Sequence, residues 1–167
     1  MPQSEARIRP LGEPGDLGWV VMAHGEVYAA EFGWNSDFER LVLQIVADFA
    51  RTDESAAGAA AWVAELEGRR VGCVFCVPDP EPGVAKLRIL LVDPIARGQR
   101  LGHRLVDTAL AFVREAGYER VRLWTNHPLV AARRIYLDAG FSLVAEDDHE
   151  SFGVRLTGQV YELDLAG

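Results

Sequence analysis

The run from Leu87 to Pro94, followed by Ile95-Ala96-Arg97-Gly98-Gln99-Arg100-Leu101-Gly102-His103, constrains this chain more than any other stretch. It reads as a buried strand, a sharp turn at Asp93-Pro94, and a helix that starts on glycine-punctuated backbone. Gly98 and Gly102 permit close approach of the backbone to a ligand. The N–H groups of the first helical turn have no intrahelical partners and lie at the positive end of the helix dipole. Such a turn is an anion cradle, and a phosphorylated cofactor is its natural occupant.

Composition narrows the partners. The 167 residues are 49% hydrophobic, which suits one soluble domain, residues 1–167, with a core of its own. No apolar run approaches the roughly 18 residues that span a bilayer, and Met1-Pro2-Gln3-Ser4-Glu5 lacks the basic and apolar regions of a leader. The expectation is a cytoplasmic protein with no membrane partner. A net charge of −8 argues against nucleic acid, whose binding needs a basic face. Against that acidic background Arg97 with Arg100, and Arg133 with Arg134, suit a small anionic ligand.

Cys73-Val74-Phe75-Cys76 has the spacing of a redox or zinc site. The surrounding segment, Val71 to Val77, is apolar and β-branched and reads as a strand. Residues three apart on a strand point to opposite faces and cannot share a metal or a disulfide. No metal site is therefore read from the sequence.

Ala6 to Arg9 is a short strand closed by Pro10, and Asp16 is placed to cap a helix that runs to Phe32. Ser36 with Glu39 makes a capping box for a second helix through Phe49. After a polar loop from Asp53 to Gly58, Ala61–Leu66, Val71–Val77 and Val84–Val92 form an antiparallel meander, turning at Glu67-Gly68-Arg69-Arg70 and in the proline-rich loop from Pro78 to Gly83. The helix from Leu101 carries an apolar stripe and ends at Gly117. Val121–Thr125 then lies parallel to the preceding strand because a helix connects them. A helix over Leu129–Ala139 and strands at Phe141–Ala145 and Gln159–Leu165 complete a mixed α/β fold with helices on both faces of the sheet.

The strand, R-G-x-x-x-G turn, helix and strand, followed by Ala132-Arg133-Arg134-Ile135-Tyr136-Leu137-Asp138-Ala139-Gly140-Phe141, resemble the GNAT superfamily of acyl-CoA-dependent N-acetyltransferases. The family patterns are [QR]-x-x-G-x-[GA] and A-x-x-L-Y-x-x-x-G-F. Further likeness, from Gly15 to Val20, Ala85 to Gly140, Ser151 to Gly153 and Gly158 to Leu163, is to the acetyltransferase half of bacterial MarR–GNAT fusion proteins. There are two departures. Arg100 stands where the loop pattern has its first glycine; a side chain there fits only with a negative φ and pointing away from the ligand, or turned inward to pair with phosphate. Leu129 stands where many members carry asparagine, the nearest being Asn126.

The resemblance implies a mostly antiparallel central sheet splayed between its fourth and fifth strands, with acetyl-CoA as co-substrate. Backbone groups of Leu90, Leu91 and Val92 would hold the pantetheine arm. Arg97, Gly98, Gln99, Arg100, Leu101, Gly102 and His103 would take the pyrophosphate, and Arg133 or Arg134 the ribose phosphate. Tyr136 matches the tyrosine that protonates the departing thiolate. An amine of pKa near 10 needs a base, and Glu31, Glu65 and His149 are the candidates, with Tyr28, Phe32 and Trp34 near Glu31 as an aromatic ammonium site. The acceptor would be a small-molecule or peptide amine, and the fold often forms a homodimer through its late strands. The competing readings are a non-catalytic acyl-CoA binding or sensing module, and an interaction protein whose cofactor site Arg100 has closed.

Overall fold

The computed structural model describes residues 4–52 and 58–165. The chain runs β1 (Arg7–Pro10), α1 (Asp16–Phe32), α2 (Ser36–Ala50), β2 (Ala60–Leu66), β3 (Arg69–Pro78), β4 (Val84–Val92), a 3₁₀ turn (Pro94–Ala96), α3 (Leu101–Glu115), β5 (Arg120–Asn126), α4 (Val130–Asp138), β6 (Ser142–Ser151) and β7 (Val154–Asp164). Residues 53–57 of the expected polar loop lie outside the described residues. No described helix is long and apolar enough to cross a membrane.

The strands form one sheet in the order β1-β2-β3-β4-β5-β7-β6. All its pairs are antiparallel except β4 with β5, the pair that α3 connects. Two apolar stripes bury against opposite faces. Leu101, Leu105, Val106, Ala109 and Val113 of α3 pack with Leu87, Val121 and Tyr136 on one face. Val20 and Ala23 of α1 and Val42, Val46 and Phe49 of α2 pack with Phe75 and Leu91 on the other. Cys73 and Cys76 are both buried and belong to these two separate cores, as strand geometry requires.

Strands β4 and β5 pair only from Val84–Leu87 against Arg120–Leu123. Beyond that the rest of β4 stays with β3, and Trp124–Asn126 stay with β7, so the sheet opens as a wedge. Arg122 ties the closed end. Its Nε donates to Glu162 at 2.8 Å, Nη1 to Asp79 at 3.1 Å and Nη2 to Glu81 at 2.7 Å, joining β5 to β7 and to the loop before β4. A bulge bends the open side. Arg88 opposes Phe75 and Leu91 opposes Cys73, so both Ile89 and Leu90 fall opposite Val74. Ile89 has φ of 44°, a left-handed conformation that costs a β-branched residue about 1–3 kcal/mol.

Several local expectations are corrected. Asp16 does not cap α1; Gly15, at φ 92°, holds that place, because the Asp16 carboxylate is taken by Arg9 and Arg70. The α2 cap is Asn35, whose side chain accepts from Asp37 N at 3.0 Å, rather than Ser36. Pro10 belongs to β1, where an edge strand tolerates a missing donor. The last two strands form a longer hairpin than expected, turning at Phe152 (φ 59°) and Gly153 (φ 80°).

Candidate active site

Two cavities meet in the wedge. The larger, about 460 Å³, lies between α1, α2 and the open ends of β4 and β5; the smaller, about 240 Å³, lies between the end of β4, the end of α1 and the start of α4. Tyr28, Leu90, Leu129 and Ala132 line both, so they form the junction. Tyr136 belongs to the α3 face of the sheet, yet it lines the larger cavity through the split.

The smaller cavity brings together Leu90, Leu91, Val92, Arg97 and Glu31. On the side facing β5 this part of β4 has no strand partner, which leaves its backbone groups available to a ligand. Glu31 forms an ion pair with Arg97, and both line this smaller cavity.

Helix α3 begins as the sequence predicts, with a different division of labour among the loop residues. Among the described residues, nothing accepts from the backbone N–H groups of Gly98 through His103. Gly98, at φ 91°, has open space where a Cβ would stand, so its bareness serves the loop conformation and leaves room for a ligand. Arg100 also has a positive φ, 55°, which excludes the first of the two arrangements expected for a side chain there. Arg100 thus keeps the conformation that a glycine adopts more cheaply at this point of the pattern. Gly102 serves packing: a Cβ there would collide with Cδ1 of Ile135 on α4. His103 Nε2 lies 2.9 Å from Asp138 and joins the two helices.

Three of the remaining candidates are placed elsewhere. Glu65 lines neither cavity; it sits on β2 beside the edge strand, where Arg9 Nε donates to it at 2.6 Å and Arg7 lies at 3.5 Å. These arginines hold its carboxyl below the usual range, so the structure corrects its assignment as a base. The Arg133 guanidinium donates to His127 O at 2.8 Å and braces the turn into α4. His149 lies on β6 with Nε2 2.8 Å from Asn126 Oδ1 and Nδ1 2.8 Å from Ser151 Oγ. Asn126, not His149, lines the larger cavity.

Sequence reasoning missed His24. It is 1% exposed, lines the larger cavity and stacks on Tyr28 at 5.8 Å. Its Nδ1 lies 2.7 Å from Val20 O, so that nitrogen carries the proton, and Nε2 is buried without a well-formed hydrogen bond, although the Ile89 backbone also favours the charged ring. Burial pushes the ring down from 6.5 to about 4. A lone histidine inside a helical apolar run carries no sequence signal for this. Because the folded pKa lies below the unfolded one, His24 is expected to stabilise the fold fully above pH 6.5 and to cost about 3 kcal/mol as pH falls to 4. Urea unfolding across that window measures the slope, which His24→Gln should remove.

A mixed sheet split after its parallel pair, with a helix start on the open side whose first N–H groups have no acceptor among the described residues, is the scaffold of a GNAT-type acyltransferase. The model of the acetyltransferase (GNAT) family matches residues 21–141, and the chain belongs to that family. Human N-acetyltransferase 8B is 31% identical over 118 residues, 68% of this chain and 52% of its own length. The mycothiol acetyltransferase of Beutenbergia cavernae is 36% identical over 75 residues, 45% of this chain and 25% of its own. The chain thus spans about half the length of the first relative and a quarter of the second. Among solved structures, an N-acetyltransferase from Staphylococcus aureus Mu50 superposes with a TM-score of 0.79 at 18% identity, covering 97% of this chain and 99% of that one. An acetyltransferase-like protein from Salmonella typhimurium, solved with its cofactor acetyl-CoA, gives 0.76 at 18%, covering 98% and 96%.

Proposed function

We propose that this chain transfers an acetyl group from acetyl-CoA to a primary amine of a small molecule or peptide by direct attack on the thioester. The observation that carries this reading is the junction: the two cavities meet at Tyr28 and Leu90, on the unpaired edge of β4, with Tyr136 lining the acceptor side. The amine nitrogen bonds to the carbonyl carbon, the carbon–sulfur bond breaks, and the amine loses a proton while the sulfur gains one. Backbone groups of Leu90, Leu91 and Val92 hold and polarise the thioester arm. Loop N–H groups from Gly98 to His103, with Arg97 or Arg100 beside them, take the pyrophosphate.

Burial and the neighbouring Tyr28 raise the Tyr136 hydroxyl. It therefore stays protonated at working pH and serves as a donor to the sulfur. The same apolar surroundings disfavour a free thiolate, which narrows the gap between donor and leaving group. Tyr136 faces the acceptor cavity, and Glu31 is engaged by Arg97 on the cofactor side. Glu31 thus acts on the amine only if Arg97 turns to the phosphates and releases it.

Amine-dependent release of free thiol from acetyl-CoA tests the proposal, using a panel of amino acids, peptides, polyamines and arylalkylamines. Transfer to at least one amine is expected. Saturable CoA binding with no transfer to any amine would support the binding-module reading instead.

A further inference from the structure

The charged groups that line the larger cavity are Asp79, Lys86, Arg88 and Arg122. All but one are engaged. Arg122 is held by Glu162, Asp79 and Glu81, and Asp79 also lies 3.9 Å from Lys86. The Arg88 guanidinium has no hydrogen bond and no ion pair among the described residues. The acid that acts on it through space is Asp48, which is itself bonded to Arg51. Arg88 is half-buried, and burial lowers its pKa.

A guanidinium presents a rigid fork of N–H donors and no acceptor, so a half-buried one without a protein partner is left to water, which a ligand carboxylate can replace. The fold goes to some length to put it there. Arg88 opposes Phe75, a residue of the core beneath α1 and α2, and the bulge that follows directs Ile89 to the same face. Arg88 therefore points toward the acceptor side, two residues before the junction residue Leu90. The opposite wall is apolar and aromatic, with Tyr28, Trp34, Phe38, Leu41 and Ile45.

We propose that Arg88 binds a carboxylate of the acceptor, making the preferred substrate an amino-acid-like amine with an apolar side chain. One guanidinium matches the single charge and the two oxygens of a carboxylate. The same uncompensated cation works against a polyamine or any acceptor that carries extra positive charge near it. This deepens the acetyltransferase reading and rests on it.

Binding of the acetylated product tests the inference without needing turnover. N-acetyl-L-phenylalanine and N-acetyl-L-phenylalaninamide, alike except for the charge, are titrated calorimetrically with and without CoA. The acid is expected to bind about tenfold or more tighter than the amide, as a charge-assisted hydrogen bond implies. Arg88→Met should bring the two within twofold, and Arg88→Lys should keep part of the preference. Thermal midpoints show that the variants fold; Arg88→Met should hold or raise it, since an unpaired half-buried charge is removed. Equal binding of acid and amide, a preference that survives Arg88→Met, or no binding of either would each overturn the proposal. A thiol-release assay with no active amine would defeat the acetyltransferase reading and leave the binding result standing.

Discussion

Replacing Tyr136 by phenylalanine is expected to lower kcat by about 10²-fold or more, the usual range for a positioned proton donor, while CoA affinity moves less than twofold. Two aromatic rings pack against the Tyr136 ring. It is 7% exposed on α4, with Phe141 at 5.9 Å and Tyr161 at 6.4 Å between ring centres. Its hydroxyl makes no hydrogen bond among the described residues, so Tyr136→Phe removes one oxygen and leaves the packing. The thermal midpoint should therefore stay level or rise slightly while turnover falls. A tyrosine that only packs would leave kcat unchanged on the same substitution, because phenylalanine keeps the ring and its contacts. Steady-state kinetics with the best amine from the panel, together with a melting curve, separate the two, and unchanged kcat would remove Tyr136 from the mechanism.

The largest expected loss of stability lies at the other end of the sheet. Asp16 is fully buried. It accepts from Arg9 Nη1 at 2.8 Å and Nη2 at 2.9 Å, from Arg70 Nε at 2.8 Å, and from the backbone N–H groups of Gly12 at 2.9 Å and Glu13 at 2.8 Å. The network fastens β1, the start of α1 and β3 to one another. Asp16→Ala takes from the Arg9 guanidinium, itself 8% exposed, the buried carboxylate that two of its nitrogens share and leaves it Glu65, Glu13 and the Pro10 carbonyl, and should cost about 3–5 kcal/mol in urea unfolding. Arg9 holds the Asp16 carboxyl well below the usual carboxylate range. Its contribution is thus complete above the unfolded value of about 4 and is lost as pH falls further. Wild-type stability should then drop in two stages: through His24 between pH 6.5 and 4, and through Asp16 below 4. Asp16→Asn should flatten the lower stage and leave the upper one.

Much of this was legible in the chain itself, where local pattern and global fold agree. The strand, turn and helix around Asp93 to Gly102 were readable because glycine and proline punctuate them. The opposite placement of Cys73 and Cys76 followed from strand periodicity alone. The bulge was not legible, because an isoleucine inside an apolar run reads as an ordinary strand residue, and the left-handed Ile89 is imposed by the surrounding sheet. The long β6 escaped for a related reason: its residues are largely exposed, acidic side chains stand where alternation was sought, and its ladder to β7 supplies what pattern does not. Glu65 shows the limit for site residues. A carboxylate in sequence carries no sign of its partner, and Arg9 is 56 residues away. Arg88 was overlooked for the converse reason, since a lone arginine in a strand looks like a solvated edge until the cavity around it is seen.

A crystal structure with CoA tests the central claim most directly. The account predicts the pantetheine arm against the backbone of Leu90, Leu91 and Val92, the pyrophosphate on the N–H groups between Gly98 and His103, and the thiol at the junction by Tyr28 and Tyr136. A CoA molecule bound elsewhere, or one that leaves the open edge of β4 untouched, would contradict it.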